Sequence, residues 1–329
     1  MKKINTAIIG FGVVGKRRKR FIETNKNYNL KYISDISLKK NFSKNNINYF
    51  QNYNDIFKSK DLDAVFVTLP NYLAPIVTKV ALKNKLHVFC EKPPAKSSKD
   101  LKKVIILEKK NKSLKLKYGF NHRYHGSTMK AKEILKKGNL GKILNIRAIY
   151  GKSKIVTFNR NEWRAKKKYA GGGILLDQGI HLIDLILFFH GDFLKFKSFI
   201  SNKFWKYDVE DNAFSIMKDK NGVIASIHST ATQWEHKFSI EITCEKGMLI
   251  LSGILSSTKS YGKEQLILIN KLKKGIVKKY YTFKKDNSWK KEIEEFANLI
   301  KSKQKVQIGS SAQALKAMEV IENIYKSDN

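Results

Sequence analysis

Gly10-Phe11-Gly12-Val13-Val14-Gly15 sits between an apolar run, Ile4–Ile9, and a mixed run, Val13–Glu23, whose spacing predicts a helix. A GxGxxG match carries weight only where it follows a strand and opens a helix, and this one does both. The first glycine permits a tight turn, the second lets backbone approach a pyrophosphate, and the third lets helix and strand pack closely. Amides at the start of the helix then face the phosphates. Asp35 follows the next apolar run, Asn29–Ser34, about 20 residues on, where a carboxylate can hold both hydroxyls of an adenosine ribose. That carboxylate repels a 2′-phosphate, so NAD is expected, with NADP the alternative because Lys39 and Lys40 moderate the bias.

The same rhythm continues outward from this turn. Ala64–Thr68, Leu86–Cys90 and Leu114–Gly119 read as strands, with helices predicted over Leu73–Asn84 and Lys99–Lys110. Strands alternating with helical patterns indicate βαβ units and a parallel sheet. Beyond Phe120 the pattern changes. A helix, Thr128–Lys136, and a strand, Ile143–Tyr150, precede a polar segment, Lys152–Tyr169, and then a glycine-led apolar helix. Between Leu194 and Phe283, Lys220-Asn221-Gly222, Lys246-Gly247 and Lys274-Gly275 punctuate short alternating runs, which are hairpin signals. Helices over Trp289–Lys301 and Ser311–Tyr325 close the chain. The expected fold class is α/β: a Rossmann doubly wound parallel sheet over residues 1–120, then a substrate-binding and oligomerisation domain over 121–329. The second domain is expected to carry an open, mainly antiparallel sheet.

Composition narrows the function classes. With 42% hydrophobic residues the 329-residue chain can bury a sizeable core. Two cysteines, Cys90 and Cys244, can neither staple a scaffold nor form a four-cysteine zinc site, so no metal is expected and a reduced, cytoplasmic protein is. The start, MKKINTAIIGFGVVG, lacks a small-residue cleavage site and is not read as a signal peptide. Ile180–Phe189, the most apolar stretch, is too short to span a bilayer, and no membrane partner is expected. The net charge of +37 comes from lysines spread along the chain, with only seven arginines, the residue favoured for phosphate and base readout. It is read as solvated surface with no specific nucleic acid. The basic run Lys16-Arg17-Arg18-Lys19-Arg20 is read in the same way, as the wet face of the first helix.

Two further motifs carry chemistry. Glu91-Lys92-Pro93 follows a predicted parallel strand, and ligands bind at the carboxyl ends of such strands. A lysine there can hold a substrate hydroxyl and favour its alkoxide. In the stretch Gly171–Asp184, GGGILLDQGIHLID, Asp177 and His181 stand four apart and so share one helix face, with Asp184 near it. Ionisable groups in so apolar a helix need partners or a cavity. A carboxylate beside a histidine fixes its tautomer and makes it a better base.

Taken together, GFGVVG, Asp35, Thr68-Leu69-Pro70-Asn71, Glu91-Lys92-Pro93, the YGFNHRY stretch Tyr118–Tyr124, Trp163-Arg164 and Gly171–Asp184 resemble the glucose–fructose oxidoreductase/inositol dehydrogenase/rhizopine-catabolism (Gfo/Idh/MocA) family. The likeness covers nearly the whole chain in order. It implies oxidation or reduction of a ring hydroxyl on a sugar, inositol or nucleotide sugar with NAD(P). Lys92, Asp177 and His181 match the family's catalytic set and, with Arg123, its substrate contacts. Cofactor contacts are implied for Gly10 to Gly15, Asp35, Thr68 to Asn71, Glu91, Lys92, Asn121, Trp163 and Arg164. Two positions depart from the family pattern: Ala74 and Arg18 stand where histidines are usual. The run His122-Arg123-Tyr124-His125, with Phe204-Trp205 and Asp211-Asn212, is similar to a subset found among surface-polysaccharide genes. A broad sheet face suggests a homo-oligomer, a dimer or tetramer. The competing functions are transient oxidation for elimination or glycosidic cleavage, reduction of another ring such as a tetrapyrrole, and a non-catalytic dinucleotide sensor.

Overall fold

In the computed structural model, which describes residues 2–153, 159–256, 261–272 and 275–328, the chain divides into two compact units. The first holds Met1–Phe120 together with Trp289–Leu315. Its elements run β1 (Ile4–Ile9), α1 (Val13–Glu23), β2 (Tyr28–Ser34), β3 (Phe42–Lys44), β4 (Ile47–Phe50), β5 (Ala64–Val67), α2 (Ala74–Lys83), β6 (His87–Glu91), α3 (Ser98–Lys110) and β7 (Leu116–Gly119). The strands form one sheet in the order β3-β4-β2-β1-β5-β6-β7, parallel except between β3 and β4. Strand β5, Ala-Val-Phe-Val, is buried throughout, as a central parallel strand covered on both faces must be. Strand β1 lies between β2 and β5, so the winding reverses there and the Gly10–Gly15 turn leaves the sheet at its switch point.

Three features of this unit differ from expectation. The β3–β4 hairpin was not foreseen; it turns on Asn45 and Asn46, both at positive φ, the conformation that two-residue hairpin turns demand. Residues Trp289–Leu315, expected to close the second domain, group with the first instead. Helix Ser288–Lys301 explains this, because Ile293, Phe296 and Ala297 are fully buried in the core containing Ile8, Ile33, Phe66 and Phe89. Finally, the basic run is not all solvated. Gly15, Arg18 and Ile22 form the buried stripe of α1, at the three- and four-residue spacing of an inward helix face. Arg18 is fully buried, while Lys16 and Arg20 on the same helix are exposed.

The second unit holds Asn121–Ser288 and Lys316–Asn329. Its strands are β8 (Ile143–Ser153), β9 (Lys195–Ser201), β10 (Asn212–Lys218), β11 (Ile224–Gln233), β12 (Lys237–Cys244), β13 (Gly247–Ser252), β14 (Glu264–Leu272) and β15 (Gly275–Phe283). They lie in the order β15-β14-β13-β12-β8-β11-β10-β9, antiparallel except for the β8–β11 pair. Turns occur at Lys220–Gly222 and Lys246–Gly247 as the hairpin signals require; Lys274 of the third signal lies outside the described residues. Strand β10 alternates cleanly, burying Ala213, Ser215 and Met217 and exposing Phe214 and Ile216. Opposite Phe214 stands Phe199 of β9, itself exposed, so the outer face is apolar at this end.

One helical run, Lys167–Phe189, proves long and apolar enough to cross a membrane by length and composition, longer than the stretch Ile180–Phe189 suggested. Of its most apolar window 78% is buried inside the fold. A helix apolar all round is a core helix when its own protein covers it, and this one is.

Candidate active site

The carboxyl edge of the first sheet gathers the expected cofactor residues of that unit. Gly10 has φ +96°, and a Cβ there would lie 2.6 Å from the Thr68 carbonyl oxygen. A Cβ on Gly15 would collide with the Gly10 carbonyl, whereas one on Gly12 would meet nothing within 4 Å. The turn is therefore closed behind Gly10 and Gly15 and open in front of Gly12, the cradle that a pyrophosphate needs. Phe11 and Val14 are half-buried and Val13 is exposed. Thr68 donates its hydroxyl to the Gly10 carbonyl, and Leu69 packs beside Gly10. Pro70 turns the chain into α2 by accepting the amides of Leu73 and Ala74, with Asn71 buried between them.

Asp35, just past β2, accepts from the Phe11 amide through Oδ2 and from the Ser37 amide, at 2.9 Å, through Oδ1. Burial alone would raise this carboxyl. Hydrogen bonds from Ser37 and Phe11, with Lys16 nearby, outweigh that and hold it below the usual range, so an anionic hydroxyl acceptor sits next to the glycine turn. These observations fit a dinucleotide.

Glu91 ends β6 and Lys92 follows it, half-buried at the same edge. Glu91 itself turns inward. Its Oε1 accepts from Arg18 Nε at 2.5 Å, while Arg18 Nη2 reaches Glu292 Oε2 at 2.6 Å. The Arg18 guanidinium lies between the Phe89 ring at 4.4 Å and the Trp289 ring at 4.3 Å. Gly119 at the end of β7 leaves room for the pair, since a Cβ there would lie 2.8 Å from Glu91 Oε2. Arg18, expected on the wet face of its helix, is thus part of a buried three-charge cluster whose Glu91 immediately precedes Lys92.

The second unit holds the other candidates. Instead of a continuous α-helix, the Gly171–Asp184 stretch contains a π-turn, Leu175–Gly179, before helix Ile180–Phe189. Single π-turns are frequent at functional sites, and here Asp177 lies within the turn. Gly171 has φ +87°, and the two glycines after it have a steric cause. Side chains on Gly172 and Gly173 would collide with the Tyr325 hydroxyl and the Glu210 carbonyl. Glu210 accepts the Gly173 and Leu175 amides at 2.7 and 3.0 Å, and Tyr325 donates to it at 2.8 Å. Burial raises the Glu210 carboxyl despite these donors. Asp177 is half-buried and His181 is buried, with the His181 ring stacked on His122 at a centroid distance of 3.6 Å.

Arg123, expected at the substrate, is 3% exposed and donates from Nε and Nη2 to the two oxygens of Asp184, at 2.8 and 2.6 Å. This bidentate pair braces the turn Asn121–Tyr124 against helix Ile180–Phe189. Asn121 is buried and donates to Ser288 at 3.2 Å. Trp163 and Arg164 stack on one another, the guanidinium 4.4 Å from the ring centroid.

Comparison with known proteins fits both halves. Residues 4–120 match the family model described as an oxidoreductase family with an NAD-binding Rossmann fold, and residues 128–250 match the GFO/IDH/MocA C-terminal domain. The chain belongs to the GFO/IDH/MocA family. It is 25% identical to YrbE of Bacillus subtilis, described as an uncharacterized oxidoreductase, over 92% of this chain and 88% of that one. Among solved structures, myo-inositol 2-dehydrogenase from Lactobacillus plantarum superposes with a TM-score of 0.81 at 21% identity, covering 100% of this chain and 98% of that one. Levoglucosan dehydrogenase, solved with NADH and L-sorbose, superposes with a TM-score of 0.84 at 19% identity, covering 99% and 97%.

As a GFO/IDH/MocA protein the chain is an oxidoreductase with an NAD-binding Rossmann domain. Several residues of this family member were not foreseen. Glu210 and Tyr325, which hold the helix that carries His181, and Tyr150 and Glu264, which hold His122 and His125, come from distant segments and leave no local signal. The run His122–His125 did stand out as a motif, but its partners did not.

Proposed function

We propose that this family member is an NAD-dependent dehydrogenase or reductase of a secondary alcohol on a sugar, inositol or nucleotide-sugar ring, working in surface-glycan metabolism. The observation that carries this is Lys92, half-buried at the carboxyl end of β6 in the sheet whose glycine turn would hold a dinucleotide pyrophosphate. Relatives named for inositol and levoglucosan support the ring-hydroxyl class. The likeness of His122–His125 to a surface-polysaccharide subset supports the setting.

When bound, NAD supplies the nicotinamide carbon that exchanges a hydride with the substrate carbon. In this reading His181 takes the hydroxyl proton during oxidation and returns it during reduction. The Lys92 ammonium holds the developing oxyanion, a contribution of order 3 kcal/mol. Asp177 orients His181, and Arg123, fixed by Asp184, holds the substrate-side turn in place. Reduced-nicotinamide absorbance, followed while a panel of sugars, inositols and nucleotide sugars is added, tests the reading. A turnover signal supports it, and silence across the panel in both directions contradicts it.

Two consequences follow. With Asp35 at the ribose, the protein should prefer NAD and Asp35→Ser should narrow the gap to NADP, as read by fluorescence titration of both. A wild-type preference for NADP beyond about tenfold, ~1.4 kcal/mol, contradicts this. The exposed apolar strip of Phe199, Phe214 and Ile216 supports a second copy of the chain as its cover. Light scattering should then give a dimer or tetramer mass, and a monomer mass at working concentration would refute it.

A further inference from the structure

His181 lies against a second imidazole. The His122 and His181 rings are 3.6 Å apart between centroids and within 15° of parallel. They come from different elements, the turn Asn121–Tyr124 and helix Ile180–Phe189, and both are buried. We propose that His122 is a positioning residue for His181, fixing the plane of its ring and allowing only one of the two imidazoles to be charged at a time. This rests on the reading of His181 as the group that moves the substrate proton.

The anchors of His122 define what it can carry. Asn121 Nδ2 donates to Ser288 Oγ at 3.2 Å, which turns Asn121 Oδ1 toward His122 Nδ1, also at 3.2 Å. A carboxamide oxygen only accepts, so Nδ1 bears a hydrogen. In the neutral ring Nε2 then accepts from the Tyr150 hydroxyl, 3.2 Å away. Tyr150 is hydrogen-bonded in turn to Tyr261, and Tyr261 donates to Gln178 Oε1 at 3.4 Å. When His122 gains a second proton, Nε2 donates to Tyr150 and the Tyr150 hydroxyl turns its hydrogen toward Tyr261, which goes on donating to Gln178. The chain of hydroxyls therefore serves both charge states of His122.

The neighbouring ring decides between those states. Two imidazolium ions at this separation, away from water, repel strongly. Groups coupled in this way take up protons in two separated steps that belong to the pair. The charged groups around them are matched: Arg123 with Asp184, and His125, edge-on to His122 at 5.5 Å, with Glu264 at 2.9 Å. His236 packs on Tyr261 at 4.6 Å and feels Lys152. Asp177 stands one helical turn before His181. When one ring is charged, the other stays neutral, so a proton held on His122 keeps His181 competent as a base.

Proton–nitrogen NMR of the histidine rings in the full chain, titrated between about pH 9 and pH 5, reads the pair directly. The wild type should show two steps at least about 1 pH unit apart, collapsing to a single His181 step in His122→Gln and in His122→Phe. In both variants the acid limb of kcat should move with the His181 midpoint while NAD affinity stays unchanged. A single His181 step in the wild type, unaltered by either substitution, overturns the proposal. If the two steps are present but His181→Ala turns over like the wild type, the pairing stands and the catalytic reading of His181 fails.

Discussion

Arg18→Ala should destabilise the protein by about 3–5 kcal/mol, the scale for removing one partner from a buried ion cluster. The guanidinium is fully buried and compensates two buried carboxylates, Glu91 and Glu292, while its faces pack on Phe89 and Trp289. Alanine removes the positive charge and leaves both carboxylates in a site that water does not reach. Lysine should recover only part of the loss, because one ammonium cannot reproduce the planar fork that spans both acids. Glu292 adds a pH signature. Burial outweighs Arg18 and pushes its carboxyl from 4.5 up to about 7. A carboxyl raised in the folded state makes stability fall as pH climbs from its unfolded pKa toward the folded one. Relative to wild type, Glu292→Gln should therefore gain stability as pH rises from about 4.5 to about 7. Denaturant unfolding of the full chain at several pH values measures both effects. An Arg18→Ala loss below about 0.5 kcal/mol would mark the residue as ordinary surface.

Lys92→Ala should lose at least about 100-fold in turnover, the usual scale for a positioned acid, base or oxyanion donor. Affinity for NAD should stay near normal, because the Gly10–Gly15 turn and Asp35 are untouched by the change. Lys92→Ala combined with His181→Ala should be little worse than either alone, since groups that act as a unit are strongly non-additive. Asp177→Asn should cost less than His181→Ala if its part is orientation. Steady-state kinetics with saturating NAD, paired with a binding titration, separates these outcomes. A Lys92→Ala variant that binds NAD poorly yet turns over normally at saturation would move the residue from chemistry to cofactor capture.

What could be read from the chain was mostly local. The glycine turn after β1, the alternation of strands and helices through β7, and the hairpin rhythm of the second sheet all leave period and turn signals within a dozen residues. The β3–β4 hairpin hides because its strands are only three and four residues long and β3 is exposed, so that only the Asn45-Asn46 pair marks it. Arg18 shows why charge runs mislead. Its inward register could be counted from Gly15 and Ile22, but the two acids that make burial tolerable lie 73 and 274 residues away. Helix Ser288–Lys301 was legible as a helix, while its place in the first unit depends on Phe66 and Phe89, which no local pattern links to it. The π-turn at Asp177 likewise leaves no propensity signal, and Glu210, which holds the Gly173 and Leu175 amides where it begins, comes from a distant segment.

The most direct test of the central claim, that this oxidoreductase moves its substrate proton through His181, is turnover of His181→Ala. It is measured with saturating NAD on whichever ring alcohol the panel identifies, with NAD affinity determined on the same preparation. Turnover should fall about 100-fold or more with NAD binding unchanged. Turnover close to the wild-type rate would contradict the mechanism while leaving the fold and family intact.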